Sequence, residues 1–142
     1  MTRQNGERGT ALLEAAFVLP VLLLLIFGAF DIGRLAHAHS AAFSAAREGA
    51  RTATTDPASA TCVRAAALRI GSLASLTAGD VAYTPPASPN LGDEIVVAVS
   101  TTVEIITPLV STTIGRDTAP VRAEARMRIR HVPDAPGACV VP

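Results

Sequence analysis

The first pattern along the chain is an apolar run near the amino terminus. From Ala15 to Phe30 sixteen residues carry no charge, and extending the run back to Thr10 gives twenty-one residues of which only Glu14 is charged. A helix of about twenty residues spans the roughly 30 Å of a bilayer's hydrocarbon core. The run therefore predicts a transmembrane helix, with a bend at Pro20, where one backbone hydrogen bond is missing.

Beyond this run, apolar residues recur at three- and four-residue steps. They are Ile32, Leu35, Ala42, Phe43, Ala46, Ala50 and Ala53. This spacing predicts that the helix continues to about residue 54 and packs an alanine-rich stripe against another helix or a sheet. The segment "TTDPAS" ends the helix, because a residue that precedes a proline, here Asp56, is disfavoured in helical geometry.

In the second half of the chain the period changes. Residues 62–76 keep a helical spacing and predict a short second helix, and the turn-rich segment after it holds at most a short strand at Val81 to Tyr83. In residues 94–106 and 121–130 apolar and polar positions alternate. Alternation of this kind predicts an antiparallel sheet with one dry and one solvated face.

The charges before the apolar run predict its orientation. Arg3, Arg8 and the amino terminus stand against a single Glu7, so the positive-inside rule keeps the amino end of a single-pass protein in the cytoplasm. The fold class is therefore α+β, in which a long N-terminal transmembrane helix continues into a small extracytoplasmic domain with a short helix and an antiparallel β-sheet. The predicted segments are a cytoplasmic leader at 1–9, the transmembrane and extended helix at 10–54, and the extracytoplasmic domain at 55–142.

Composition narrows the possible functions. Basic and acidic residues number twelve each, and one Tyr, four Phe and no Trp leave few stacking platforms, so we expect no nucleic-acid partner. The sequence contains no GxSxG, GxGxxG, P-loop or HExxH motif, and we predict no enzyme, no cofactor and no small-molecule substrate. His37 and His39 point apart on a helix, so we predict no metal site.

The two cysteines, Cys62 and Cys139, lie far apart and outside any CxxC pattern. Outside the cytoplasm disulfides persist, so we expect these two residues to form one. A bridge over a loop of this length would stabilise a small domain by roughly 4 kcal/mol. The alternative is two unpaired thiols.

The one charge within the apolar run raises a chemical question. Glu14 lies one turn inside the run, where a carboxylate is costly unless it is partnered, neutral or functional. Gly9 stands five residues before it, and a glycine, a scissile bond, four apolar or small residues and a glutamate form the processing site of type IV prepilins. Cleavage after Gly9 would free an α-ammonium group on Thr10. In a filament, Glu14 of one subunit could pair with that group on the next.

Two stretches of the sequence, in this order, resemble the TadE-like family of minor pseudopilins of the tight-adherence (Flp-type IV) pilus. They are "RGTALLEAAFVLPVLLLLIFGAFDIGR" at 8–34 and "AAREGAR" at 45–51. The resemblance covers residues 8–54 and is weaker in "TPLVSTTIG" and "VRAEARMRI". It implies insertion in the inner membrane, cleavage by a prepilin peptidase of the aspartic type, and assembly or priming of the filament with other pilus or pseudopilin subunits.

Two other interpretations of the amino-terminal segment stay open. In one, the chain is an uncleaved single-pass anchor that presents a small extracytoplasmic binding domain, and Glu14 is incidental. In the other, the run is a secretory signal peptide cut at Ala36-His37-Ala38 to release a secreted enzyme, although the run exceeds the usual 7 to 15 residues of a signal-peptide core.

Charged side chains dominate the outer face of the last predicted strand. They are Arg122, Glu124, Arg126, Arg128 and Arg130. This face is either a site for an anionic partner, such as phospholipid headgroups or an acidic patch of a pilus component, or an ordinary solvated sheet face. In both cases we expect Glu124 and Glu104 to neutralise part of the charge.

Overall fold

A computed structural model describes residues 4–71, 76–107, 110–112, 115–133 and 139 of the 142-residue chain. Along the chain lie the helices α1 (Gln4–Ala53) and α2 (Ala60–Gly71), a 3-10 helix (Ala78–Asp80), and the strands β1 (Val81–Ala82), β2 (Glu94–Glu104) and β3 (Thr118–Arg128). A long apolar helix followed by a short helix and a three-stranded antiparallel sheet confirms the predicted α+β class.

The first helix is longer than predicted at its amino end. It begins at Gln4 rather than at Thr10, and it continues through Pro20. The leader contains no proline, and a glycine costs a helix only about 1 kcal/mol relative to alanine, so nothing in the leader interrupts the helix. At the carboxyl end the Thr54 hydroxyl donates a hydrogen bond to the carbonyl of Arg51 at 2.7 Å. The predicted helix end at "TTDPAS" is thus observed.

By their contacts the residues form two compact units. One comprises the chain up to Arg34 together with Glu104–Thr118, and the other comprises Leu35–Val103 together with the chain from Ala119 onward. The second unit contains the hydrophobic core. The membrane-spanning part of α1 lies in the first.

The sheet has the order β1-β2-β3. Val81 of β1 lies opposite Val99 of β2 in an antiparallel register. Alternate residues of β2 and β3 are buried as their sequence pattern predicts; these include Ile95, Val97, Val99, Val121, Ala123 and Ala125. The short strand predicted at 81–83 is observed with two residues, Val81 and Ala82. Tyr83 follows it, and its buried hydroxyl donates a hydrogen bond to the carbonyl of Pro57 at 2.6 Å.

The buried stripe of α1 consists of small residues only. Its members are Ala38, Ala42, Ala45, Ala46, Gly49, Ala50 and Ala53. Three larger residues assigned to the stripe from the sequence, Ile32, Leu35 and Phe43, are exposed, so that part of the prediction is wrong. Small side chains let the helix backbone approach its neighbours closely: a Cβ atom at Gly49 would lie 3.2 Å from Val97 Cγ1 and 3.3 Å from Ala67 Cβ. Larger side chains would not fit at that distance.

The second helix spans Ala60–Gly71 and so begins two residues before the predicted 62–76. The predicted residues 72–75 lie outside the described part of the chain, and Leu76 is not helical. Of the apolar residues predicted to share one side of this helix, Val63, Ala66 and Ala67 are buried together with Cys62, whereas Ile70 is exposed, so that part of the prediction is wrong.

Candidate membrane and processing segment

The predicted processing residues all lie in the first turns of α1. Gly9, Thr10 and Glu14 are exposed. A Cβ atom at Gly9 would meet nothing within 4 Å, so the surface around this residue is open. Thr10 and Glu14 are four residues apart and therefore share one side of the helix. The predicted pairing joins Glu14 to the Thr10 of another subunit, so it stays a prediction.

No residue of the apolar run that follows is buried: Leu24 and Gly28 are half-buried and the others are exposed. Its predicted limits Ala15 and Phe30, and Pro20 between them, are all exposed. So are its large side chains, which include Leu12, Leu13, Phe17, Val18, Leu19, Val21, Leu22, Leu23, Leu25, Ile26 and Phe27. Within the described residues α1 is the one helix long and apolar enough to cross a membrane, and none of its most apolar 18-residue window is buried.

An exposed apolar surface of this extent requires a cover. Monomeric soluble proteins rarely expose contiguous apolar patches larger than a few hundred Å². A core helix of a soluble protein would bury at least one side of the run, whereas here no side is buried. The segment therefore fits a single-pass membrane anchor.

Two polar residues that closely follow the apolar run, Asp31 and Arg34, bind the end of β2 and the chain just beyond it. The Asp31 carboxylate accepts hydrogen bonds from the backbone N–H of Ile106 at 3.0 Å and from the N–H and hydroxyl of Thr107 at 3.0 and 2.6 Å. Arg34 donates a hydrogen bond from Nη1 to the carbonyl of Glu104 at 3.1 Å. Within the first unit, residues 104–107 are thus hydrogen-bonded to the part of α1 that closely follows the apolar run.

These hydrogen bonds change the acidity of the carboxyl group. The Thr107 hydroxyl bond has the largest effect and the Ile106 N–H bond the next, and together they hold the pKa of Asp31 below its ordinary value of 3.8. Local sequence spacing indicates only that Asp31 and Arg34 can meet each other on the helix. Nothing in the sequence indicates that both bind a segment 70 or more positions away.

The predicted disulfide between Cys62 and Cys139 is present in the structure, with 5.1 Å between the Cα atoms. Cys62 is buried near the start of α2, where the Ser59 hydroxyl lies 2.9 Å from its sulfur. Cys139 is exposed. The bridge closes a loop of 77 positions and ties the end of the chain to α2.

The charged face of β3 is partly neutralised, but not by both predicted acids. Arg122 pairs with Glu124 at 2.7 Å, and Arg126 pairs with Glu94 at 3.3 Å and with Glu124 at 3.7 Å. The second acid is therefore Glu94 rather than Glu104. The antiparallel register explains the difference, because it places Glu94 diagonally across from Arg126 and leaves Glu104 at the other end of β2.

His37 and His39 are both exposed on α1. Within the described ranges no three His, Cys, Asp or Glu side chains come close enough to hold a metal ion.

Comparison with known proteins identifies the amino-terminal segment. The family model described as TadE-like protein matches residues 9–51, which confirms the resemblance over the part of the chain that holds Gly9, Glu14 and the apolar run. No curated protein and no solved structure matches the chain. The family match and the exposed apolar helix together fit a membrane component of pilus assembly.

Proposed function

We propose that this chain, TadE-like over residues 9–51, is a minor pseudopilin of a tight-adherence pilus. It is inserted in the inner membrane through α1 with its amino end in the cytoplasm, cleaved after Gly9 by a prepilin peptidase, and assembled with other pilus subunits. One observation carries the proposal: Gly9 and Glu14 keep the prepilin spacing at the start of an apolar helical run of which no residue is buried.

The local chemistry supports cleavage at this point. The Gly9–Thr10 bond lies in the second turn of α1, where helix ends fray most easily. Gly6 and Gly9 each lower the helix propensity there by about 1 kcal/mol relative to alanine. Hydrolysis adds one water across the bond, leaves a carboxylate on Gly9 and frees the ammonium group of Thr10. The peptidase supplies the catalytic groups, and this chain is the substrate.

The new ammonium group gives Glu14 a partner. A carboxylate within lipid is stable only when paired or neutral. In packed amino-terminal helices, Glu14 of one subunit meets the Thr10 ammonium of its neighbour. Removing one member of such a buried pair costs about 3 to 5 kcal/mol, because the other charge stays unpaired. The pair therefore sets the register between neighbouring helices.

The amino terminus of the protein from its native cells tests cleavage. We expect intact-mass spectrometry to give a chain that begins at Thr10. The variant Gly9→Ile should keep residues 1–9, whereas the matched control Gly6→Ile, which lies inside the leader, should be cut normally. A wild-type protein that begins at Met1 or Thr2 in a peptidase-competent host would refute processing but not membrane insertion.

A second experiment tests the role of the carboxylate. We expect Glu14→Leu to abolish filament formation without loss of membrane insertion, because the apolar run becomes longer. The control Glu7→Leu changes a carboxylate that cleavage removes, so filaments should form. Intact filament formation by Glu14→Leu would contradict the pairing role.

Orientation is tested separately from cleavage. We expect a protease added to the outer side of the membrane to digest the domain after residue 55, whereas a tag fused before Met1 in an uncleavable Gly9→Ile chain stays protected. Digestion of the tag with protection of the domain would reverse the proposed orientation.

The alternative function is an uncleaved anchor that presents a small binding domain. It is favoured by α1, which runs unbroken from Gln4 through the Gly9–Thr10 bond. An uncleaved chain that supports filament formation equally well with Glu14→Leu would establish this alternative.

A further inference from the structure

An open groove of about 590 Å³ lies between the end of α1 and β3. We call it the edge groove. It is lined by Arg51, Thr54, Arg126, Met127, Arg128 and Arg130. All of these residues belong to the second compact unit.

The groove lies along the strand edge that β2 does not occupy. The N–H of Ile129 donates to the carbonyl of Asp93, and the N–H of Ile105 donates to the carbonyl of Asp117, both at 2.9 Å. These two pairs define one register, in which odd-numbered residues of β3 bond to β2. The even-numbered residues therefore direct their N–H and C=O groups away from β2. Pro120, which has no N–H, stands at an even position, as expected on an edge strand.

At one end of this edge, outward donors already bind a carbonyl. The N–H groups of Arg130 and His131 donate to the carbonyl of Thr54 at 2.9 and 3.1 Å. Thr54 follows the last residue of α1 and lines the groove. Thr54, directly after α1, thus already occupies one end of the exposed edge of β3. The outward N–H and C=O groups of Arg128 and then Arg126 come next along this edge.

Positive charge accompanies these backbone groups. Arg126 has the carboxylates of Glu94 and Glu124 as partners, and Arg51 has Glu48 at 3.9 Å. For Arg128 and Arg130, no carboxylate within the described part of the chain lies within ion-pair distance. The edge groove therefore carries more guanidinium groups than the acids of the described residues neutralise.

We propose that the edge groove binds an extended acidic segment of a partner protein, which adds to the sheet as a strand beside β3. Main-chain hydrogen bonds to the even-numbered residues hold the segment, and alternate side chains select it. Arg126, Arg128 and Arg130 repeat at steps of two on one face of the strand, and an added strand presents its own side chains at the same period. Acidic residues at every second position of the partner then meet these guanidinium groups.

The backbone donors favour a peptide over a lipid headgroup. A phospholipid can use the guanidinium groups, but it has no row of carbonyls at strand spacing with which to bind the outward N–H groups. The proposal does not depend on cleavage at Gly9 or on the pilus assignment, because the binding measurement needs only the purified chain.

The test uses the full chain in detergent micelles and a labelled, capped nonapeptide in which Glu and Thr alternate. We expect fluorescence anisotropy to detect saturable binding, and NMR to report slower amide exchange at Arg126 and Arg128 on addition of the peptide. The double variant Arg128→Gln/Arg130→Gln should raise the Kd about tenfold or more, since charge-assisted hydrogen bonds are lost. The matched control Arg122→Gln removes a charge from the same face of β3 outside the groove and should leave the Kd unchanged.

Two peptide controls separate strand addition from charge attraction. A peptide N-methylated at every residue keeps its charge but has no N–H groups to donate to the strand ladder, and a peptide of the same composition arranged Glu-Glu-Thr-Thr breaks the period. We expect both to bind at least about tenfold more weakly. Equal binding of the N-methylated peptide, or an equal effect of Arg122→Gln, would overturn the proposal in favour of diffuse charge attraction.

Two further results would also overturn it. Absence of peptide binding by the folded chain would mean that the arginines only protect the edge against pairing with other strands. Binding of phosphatidylglycerol vesicles by the chain, with displacement of the peptide and the same dependence on Arg128 and Arg130, would identify lipid as the occupant.

Discussion

The carboxylate of Asp31 accepts hydrogen bonds from both the backbone N–H and the hydroxyl of Thr107, at 3.0 and 2.6 Å. These two residues are 76 positions apart in the sequence. The contact fixes the segment after β2 to α1 one residue beyond the apolar run. It is therefore the polar feature that marks the end of the spanning segment.

Substitution of this carboxylate should loosen the attached segment. Asn in place of Asp31 keeps one acceptor oxygen, so an amide cannot accept all three hydrogen bonds from Ile106 and Thr107. We expect Asp31→Asn to speed amide hydrogen exchange at these two residues. Thr107→Val, which removes only the hydroxyl bond, should have a smaller effect. Unchanged exchange in Asp31→Asn would contradict the role of the contact.

The same contact should respond to acid. Because the folded-state pKa of Asp31 is lowered, its ionised form stabilises this arrangement at pH values above the ordinary pKa of 3.8, and the contribution is lost as the pH falls through the lowered value. We expect the NMR shift of the Thr107 amide to stay constant from neutral pH to about pH 4 and to change below it. In Asp31→Asn this change should be absent.

Close helix packing predicts the effect of a single methyl group. A Cβ atom at Gly49 would lie 3.2 Å from Val97 Cγ1, 3.3 Å from Ala67 Cβ and 3.4 Å from the Val63 carbonyl oxygen. Overpacking of this kind typically costs 1 to 3 kcal/mol, against a gain in helix propensity of about 1 kcal/mol. We therefore expect Gly49→Ala to lower the free energy of unfolding by about 1 kcal/mol, measured by denaturant titration in detergent.

A second glycine of the same helix provides the control. A Cβ atom at Gly33 would meet nothing within 4 Å. Gly33→Ala should therefore leave the protein equally stable or slightly more stable. Equal effects of the two substitutions would refute close packing at Gly49.

The buried tyrosine should make stability depend on alkaline pH. Tyr83→Phe removes the hydroxyl that binds the Pro57 carbonyl, and we expect a loss of about 1 to 2 kcal/mol at neutral pH. Burial first, and the charge of Asp56 second, raise the pKa of Tyr83 above 10.0. The contribution of the neutral phenol is therefore complete below pH 10 and is lost as the pH rises through the raised pKa.

Unfolding at neutral and at strongly alkaline pH measures this dependence. The wild-type protein should lose more stability at high pH than Tyr83→Phe, which has no phenol at this position. An identical alkaline loss in both proteins would contradict the assignment to Tyr83.

Removal of the disulfide should weaken the second compact unit. With a loop of 77 positions, the bridge between Cys62 and Cys139 stabilises the folded state by about 4 kcal/mol. We expect Cys62→Ser/Cys139→Ser to unfold at a lower denaturant concentration, and a reductant to shift the wild-type protein to the same midpoint. The double variant should not respond to the reductant.

The hydropathy pattern alone determined the element types. Sixteen uncharged residues predict a spanning helix, and the two-residue period in 94–106 and 121–130 predicts strands with one buried face. Both follow from local geometry, since the helical and strand periods decide which side chains share a face. The spacing of Gly9 and Glu14 is likewise a property of the sequence, and the family match over 9–51 confirms its context.

Only the tertiary structure decided which residues meet across long distances in the chain. The apolar spacing of α1 included Phe43 and Ile32, but the close approach at Gly49 admits only small side chains on the buried side. Likewise, strand register, and not composition, pairs Arg126 with Glu94 and turns the outward N–H groups of β3 toward the groove. Periodicity is a local property, whereas these contacts depend on how closely the elements pack and in which register they pair.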